Sequence, residues 1–210
     1  MTADHYHSCK ILRGGTVTWR HNECEKRLAW LVEQSGARAV RQPNLPDTNL
    51  SLSHRLALAA GEQEEEETKL RPDLLVQGRL PETECMIDVA VVHPSSPSYI
   101  KNGKTGKYAP EREKDKHAKY RLKVRKAGYT FRAFVLESYG GWGDEATEFL
   151  RLLSYEHSQK EEEQTAFFVR AKAVMSFALQ RGNAEVMGTG TLHTQTKTKP
   201  KPLRFQHSRD

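Results

Sequence analysis

Residues 86–92, Met-Ile-Asp-Val-Ala-Val-Val, constrain the fold of this chain more than any other segment. A short, β-branched and nearly unbroken apolar run reads as a central strand buried on both faces, which calls for packed layers above and below it. One residue breaks the run. Asp88 puts a carboxylate where desolvation is costly unless a cation or a hydrogen-bond donor compensates it.

The flanking segments supply the layers. Residues 74–76 form a second apolar run, separated from the first by Gly78 and Pro81, and predict a neighbouring strand joined by a short loop. Upstream, Leu28, Leu31 and Val32 lie at helical spacing with Cys24 and Trp30 close to the same face, so residues 20–35 predict a helix closed by Gly36. Residues 37–40 predict a short strand, and Pro43, Asn44 and Pro46 a loop; residues 53–60 suggest a helical turn or two. Downstream, Pro94 and Pro97 stop the central strand and residues 95–107 read as a mobile loop. Pro110, Glu111 and Glu113 open a helix running to Ala127, Gly128 ends it, and residues 129–136 return as a strand. Asp144 is the expected N-cap of a helix carrying Phe149, Leu150, Leu152 and Leu153. A last helix over residues 161–181 places Phe167, Ala171, Val174 and Ala178 on one stripe, with Gly182 as its expected end. The string helix, strand, strand, strand, helix, strand, helix, helix predicts an α/β domain with a mixed sheet flanked by helices.

A length of 210 residues fits one such domain with tails. The formal net charge of +6 directs attention to an anionic partner. Its distribution is more informative than its total. Bases crowd residues 101–132, against only Glu111, Glu113 and Asp115, whereas Glu62 and Glu64 to Glu67 form a separate acidic run that reads as a solvated insertion. Three cysteines without CxxC spacing argue against a disulfide framework and fit a reducing compartment. No stretch has the length and apolarity of a membrane span or the pattern of a signal peptide, so the expectation is an intracellular protein without a membrane partner.

Asp73, after Arg71 and Pro72, falls at the start of one predicted strand and Asp88 within the next. Two carboxylates so placed can share a divalent cation, and magnesium favours sparse sites of one or two carboxylates completed by water and substrate phosphate. The alternative is that Asp73 caps a loop and Asp88 pairs with a core Arg or Lys. On the helix that follows, Tyr120, Val124 and Ala127 form the inward stripe, which extended backwards meets Lys116 and Glu113. A lysine there can reach the strand carboxylates and stabilise charge on a phosphate; the alternative is a solvated basic face.

Taken in order, Arg71-Pro72-Asp73, then residues 87–94 (Ile-Asp-Val-Ala-Val-Val-His-Pro), then Lys116-His117-Ala118-Lys119-Tyr120 resemble the PD-(D/E)xK nucleases. The resemblance is to the restriction-like endonuclease domain of non-LTR retrotransposons and related reverse-transcriptase polyproteins. It extends over Arg20-His21-Asn22, residues 127–129, residues 134–137 with the glycine turn that follows, and residues 178–184. It implies a restriction-endonuclease-like αβββαβ core over residues 20–184 with C-terminal helices, and a metal-dependent DNA endonuclease that nicks target DNA in retrotransposition. Asp73 and Asp88 would bind Mg2+ or Mn2+. The lysine expected two residues after Asp88 is replaced by Ala90, and in this branch it moves to the following helix, which implies Lys116 or Lys119. His21 would support the metal ligands or touch a phosphate, Glu25 and Glu137 are weaker candidates, and Lys101, Lys104 and Lys107 would hold the DNA backbone. His5, His7 and Cys9 look like half of a zinc knuckle, which makes residues 1–19 a linker remnant lacking the four ligands of a closed site. Residues 185–210 are expected to be a disordered basic tail. The implied setting is nuclear, with DNA and a reverse transcriptase or its RNA as partners. The rival reading is a catalytically inactive DNA-binding relic of a mobile-element polyprotein.

Overall fold

A computed structural model describes residues 15–43, 71–96 and 108–197, with side chains to residue 189. Helix α1 spans Thr16–Gln34, strand β1 Arg38–Arg41, β2 Leu74–Gln77 and β3 Cys85–Val92, with a 3-10 turn at Pro81–Thr83 between the last two. Helix α2 follows at Tyr108–Lys126, then β4 at Thr130–Glu137, α3 at Asp144–His157 and α4 at Glu161–Lys197. The chain is therefore α/β, in the element order the sequence predicts.

The strands form one four-stranded mixed sheet in the order β1-β2-β3-β4, antiparallel except for the parallel pair β3 and β4. Strand β3 is central and almost wholly buried, as its apolar run requires. One face, through Ile87, Val89, Phe134 and Leu136, packs on Leu28 of α1, Phe149 of α3 and Phe167 of α4. The other, through Met86, Ala90, Ala133 and Val135, packs on Tyr120 and Val124 of α2. Alternation of side chains along the strands assigns each residue to its layer, so Asp88 shares the α2 face with Met86 and Ala90.

A buried carboxylate fixes the β2–β3 connection. Glu156 of α3, fully buried, accepts hydrogen bonds from the backbone N–H of Arg79 (2.7 Å) and Leu80 (3.0 Å) and from the Thr83 hydroxyl (3.0 Å). Pinning this turn holds the register in which Leu74 opposes Ile87, and with it the level of Asp73 relative to Asp88.

Three boundaries differ from expectation. Helix α1 begins at Thr16, inside the segment expected to be linker. Asp144 is the first helical residue rather than the N-cap; Gly143 takes the cap position because its N–H is committed to Val135 O (2.9 Å) and any side chain there would overlap the Glu113 carboxylate. Gly182 does not end α4, which runs on to Lys197 and into the segment expected to be disordered from residue 185. The cause is tertiary: Gly182 lies against Arg20 of α1, so the glycine serves close helix packing rather than termination. By contrast Gly36 and Gly128, at φ +93° and +87°, do close α1 and α2. The His5, His7 and Cys9 group, the acidic run, the helical turn at 53–60 and Lys101, Lys104 and Lys107 lie outside the described residues.

Candidate active site

Asp73 stands where β2 begins, and its carboxylate reaches Val89 of β3, the residue after Asp88. It lies one residue before the paired stretch of β2 with its backbone still bonded on both sides, its N–H to Ile87 O at 2.9 Å and its carbonyl to Gln42 N–H at 2.7 Å, and its Oδ2 accepts the N–H of Val89 at 2.7 Å, extending the ladder by a side chain. The His21 Nε2 of α1 approaches the same Oδ2 at 3.2 Å and Val89 O at 3.1 Å. The hydrogen bond it donates to Asp73 raises the His21 imidazole to about 9, which favours the cation at neutral pH. Two donors on Oδ2 leave Oδ1 for a further partner.

Asp88 is 3% exposed and forms an ion pair with the Lys116 ammonium, itself largely buried. Lys116 reaches it because α2 carries Glu113, Lys116, Tyr120 and Val124 on the stripe turned toward the sheet. Lys119, one turn on, is exposed and instead donates to the Tyr120 hydroxyl at 3.3 Å, with its ammonium 4.8 Å from the ring centroid. Tyr120 is wedged among these groups, 4% exposed and stacked on Phe131. Burial, a hydrogen bond to Asp88 and the charges of Asp88 and Asp73 together push its phenol well above the usual range.

Two further expected candidates have partners of their own. Glu25 is fully buried and forms a paired contact with Arg41, at 2.8 and 3.2 Å. Glu137 accepts the backbone N–H of Ala109 at 3.1 Å, at the start of α2. Each is committed to holding its helix against a strand. Arg20 and Asn183, from opposite ends of the chain, meet in the core at 3.0 Å, and Asn183 also donates to Ser138 O at 2.7 Å, tying α1 and α4 to the end of β4.

Sequence reasoning gave Glu113 and Tyr120 only as parts of an inward stripe. Glu113 is buried, accepts the Glu145 N–H at 3.1 Å, and is raised to about 7, chiefly by desolvation. Its position on the stripe beside Lys116 was the available signal. His117 contacts Glu145 at 2.6 Å and meets the edge of the Phe131 ring.

The donor set suits a hard divalent ion: two carboxylates on adjacent strands, one with an uncommitted oxygen and the other buried, is the sparse oxygen set that magnesium tolerates. Among the described residues no group of three or more His, Cys, Asp or Glu side chains is arranged to cage a metal, so such an ion would depend on water and substrate for its other ligands. No helix among the described residues is long and apolar enough to cross a membrane. No family model and no curated protein matches the chain.

Proposed function

We propose that this chain is a divalent-metal-dependent DNA endonuclease with a restriction-endonuclease-like core of the PD-(D/E)xK kind. The observation that carries the reading is a carboxylate buried in the central strand, next to a second at the mouth of the adjacent strand, with a helix lysine delivered onto the first. Asp73 and Asp88 would hold Mg2+ or Mn2+, whose chemistry when bound is to lower the pKa of water and polarise a phosphate oxygen. Lys116, largely buried against Asp88, supplies a positive charge for the developing phosphorane. His21 orients Asp73 and keeps its Oδ2 occupied, so that Oδ1 faces a single task. Tyr120 holds Lys119 beside the site without placing it on a carboxylate. The exposed bases Lys114, Arg121, Arg125 and Lys126 of α2 offer contacts to phosphates that position DNA without reading its sequence. Nicking of an insertion site, with a reverse transcriptase or its RNA as partner, is the setting the sequence resemblance implies.

One observation favours the rival, a DNA-binding relic. Both carboxylates already have cationic neighbours, His21 on Asp73 and Lys116 on Asp88, so the site is charge-balanced by the protein alone. A plasmid-nicking assay separates the two readings. The enzyme relaxes supercoiled DNA with Mg2+ or Mn2+ and not with chelator, and Asp73→Asn and Asp88→Asn each abolish nicking while retaining DNA binding. Wild-type protein that binds DNA but never nicks single-stranded, duplex or branched substrates with either ion is the relic.

A further inference from the structure

Helix α4 buries one face and leaves an apolar face outside. Ala171, Met175 and Ala178 are in the core. Diametrically opposite, Ala166, Val169, Ala173, Phe177, Gln180 and Ala184 are all exposed, Val169 by 62% and Phe177 by 70%. These six recur at intervals of three or four residues and make an uncharged stripe about 27 Å long at 1.5 Å per residue. In a chain with 29% charged residues, the outermost line of a surface helix is where charges are expected. Among the described residues no other element covers the stripe, which points directly away from the core.

We infer that this stripe is the seat of a homodimer, in which α4 packs antiparallel on α4 of a second copy about a two-fold axis at Phe177. The commitment to a second copy comes from the charges beside the stripe. A two-fold interface must be self-complementary, with residue i meeting residue j twice. Arg170 and Glu185, both exposed on the same flank of α4, lie on either side of Phe177 at nearly equal separation. An antiparallel pairing centred on Phe177 brings Arg170 of each copy to Glu185 of the other. The other exposed charges on that flank are paired within the chain, Glu163 with Lys160 at 3.0 Å and Arg181 4.0 Å from Glu23 and over the Trp19 ring at 5.6 Å, whereas Arg170, 5.4 Å over the Phe167 ring, has no acidic partner among the described residues. At the centre Phe177 meets its own symmetry mate, and Ala166, Ala173 and Ala184 allow the helix axes to approach closely on both sides. The inference is independent of the nuclease reading, since it uses no residue near Asp73 or Asp88.

Sedimentation velocity on the full chain across the micromolar range tests it. Wild-type protein is expected to pass from monomer to dimer with concentration. Phe177→Asp, on an exposed position and with a far-UV circular dichroism spectrum like that of the wild type, is expected to stay monomeric. Arg170→Glu should weaken the dimer about tenfold by reversing both charge pairs, and Arg170→Glu combined with Glu185→Arg should recover it. A wild-type chain that is monomeric throughout overturns the proposal, as does a dimer indifferent to Phe177→Asp or a double reversal weaker than the single one.

Discussion

Lys116 and Lys119 sit one helical turn apart, yet only Lys116 is ion-paired to the central-strand carboxylate. Lys116→Ala should therefore cost roughly 10² or more in nicking rate, the scale of removing one electrostatic stabiliser, and should lower the melting temperature by leaving Asp88 buried without its cation. Lys119→Ala should change both much less, since among the described residues its ammonium meets Tyr120 and neither carboxylate. Single-turnover nicking and thermal melts of the two variants check this, and equal losses would count against the assignment. The titrating groups make a second residue-scale prediction. Glu113 is raised from 4.5 to about 7 and His21 from 6.5 to about 9, so in each case the folded protein binds a proton more tightly than the unfolded chain. Each contribution is full below the unfolded value and is lost as pH rises through the folded one. Stability should thus fall from pH 4.5 to 7 through Glu113 and from 6.5 to 9 through His21. Melting temperature against pH should show Glu113→Gln flattening the lower limb and His21→Gln the upper.

Among the elements, α4 shows how packing overrides a local signal. Helix propensity alone makes Gly182→Ala stabilising by about 1 kcal/mol. The structure reverses the sign, because a Cβ at Gly182 would overlap Arg20 Cγ and lie 2.9 Å from its Cβ and 3.1 Å from its backbone Cα. Overpacking of this kind costs about 1–3 kcal/mol, and shifting Arg20 also disturbs its hydrogen bond to Asn183. Gly182→Ala should melt below wild type, whereas Gly188→Ala, with nothing within 4 Å, should not. Chemical denaturation of both variants decides the point.

At the scale of the whole molecule, the proposed function makes the excess of bases the expected source of DNA affinity. The logarithm of the binding constant should fall linearly with the logarithm of salt concentration, in proportion to the phosphates neutralised. Charge reversal at Lys101, Lys104 and Lys107 should weaken binding to unrelated sequences about equally and make the salt slope shallower. Fluorescence anisotropy in a salt series measures both, and salt-insensitive binding would contradict the electrostatic account.

The α/β class and the order of the elements were legible because hydrophobic periodicity and turn residues act over a few neighbouring positions. Residues 86–92 alone required a central strand, and the inward stripe of α2 already contained Lys116, Tyr120 and Glu113. What periodicity leaves open is which of several residues on one helix meets which strand. Choosing Lys116 over Lys119, turning Glu25 to Arg41 and Glu137 to the start of α2, and carrying α4 past Gly182 all depend on distances between segments far apart in sequence. Local pattern selects the face a residue occupies; only the packed layers, by excluding water and closing those distances, decide its partner.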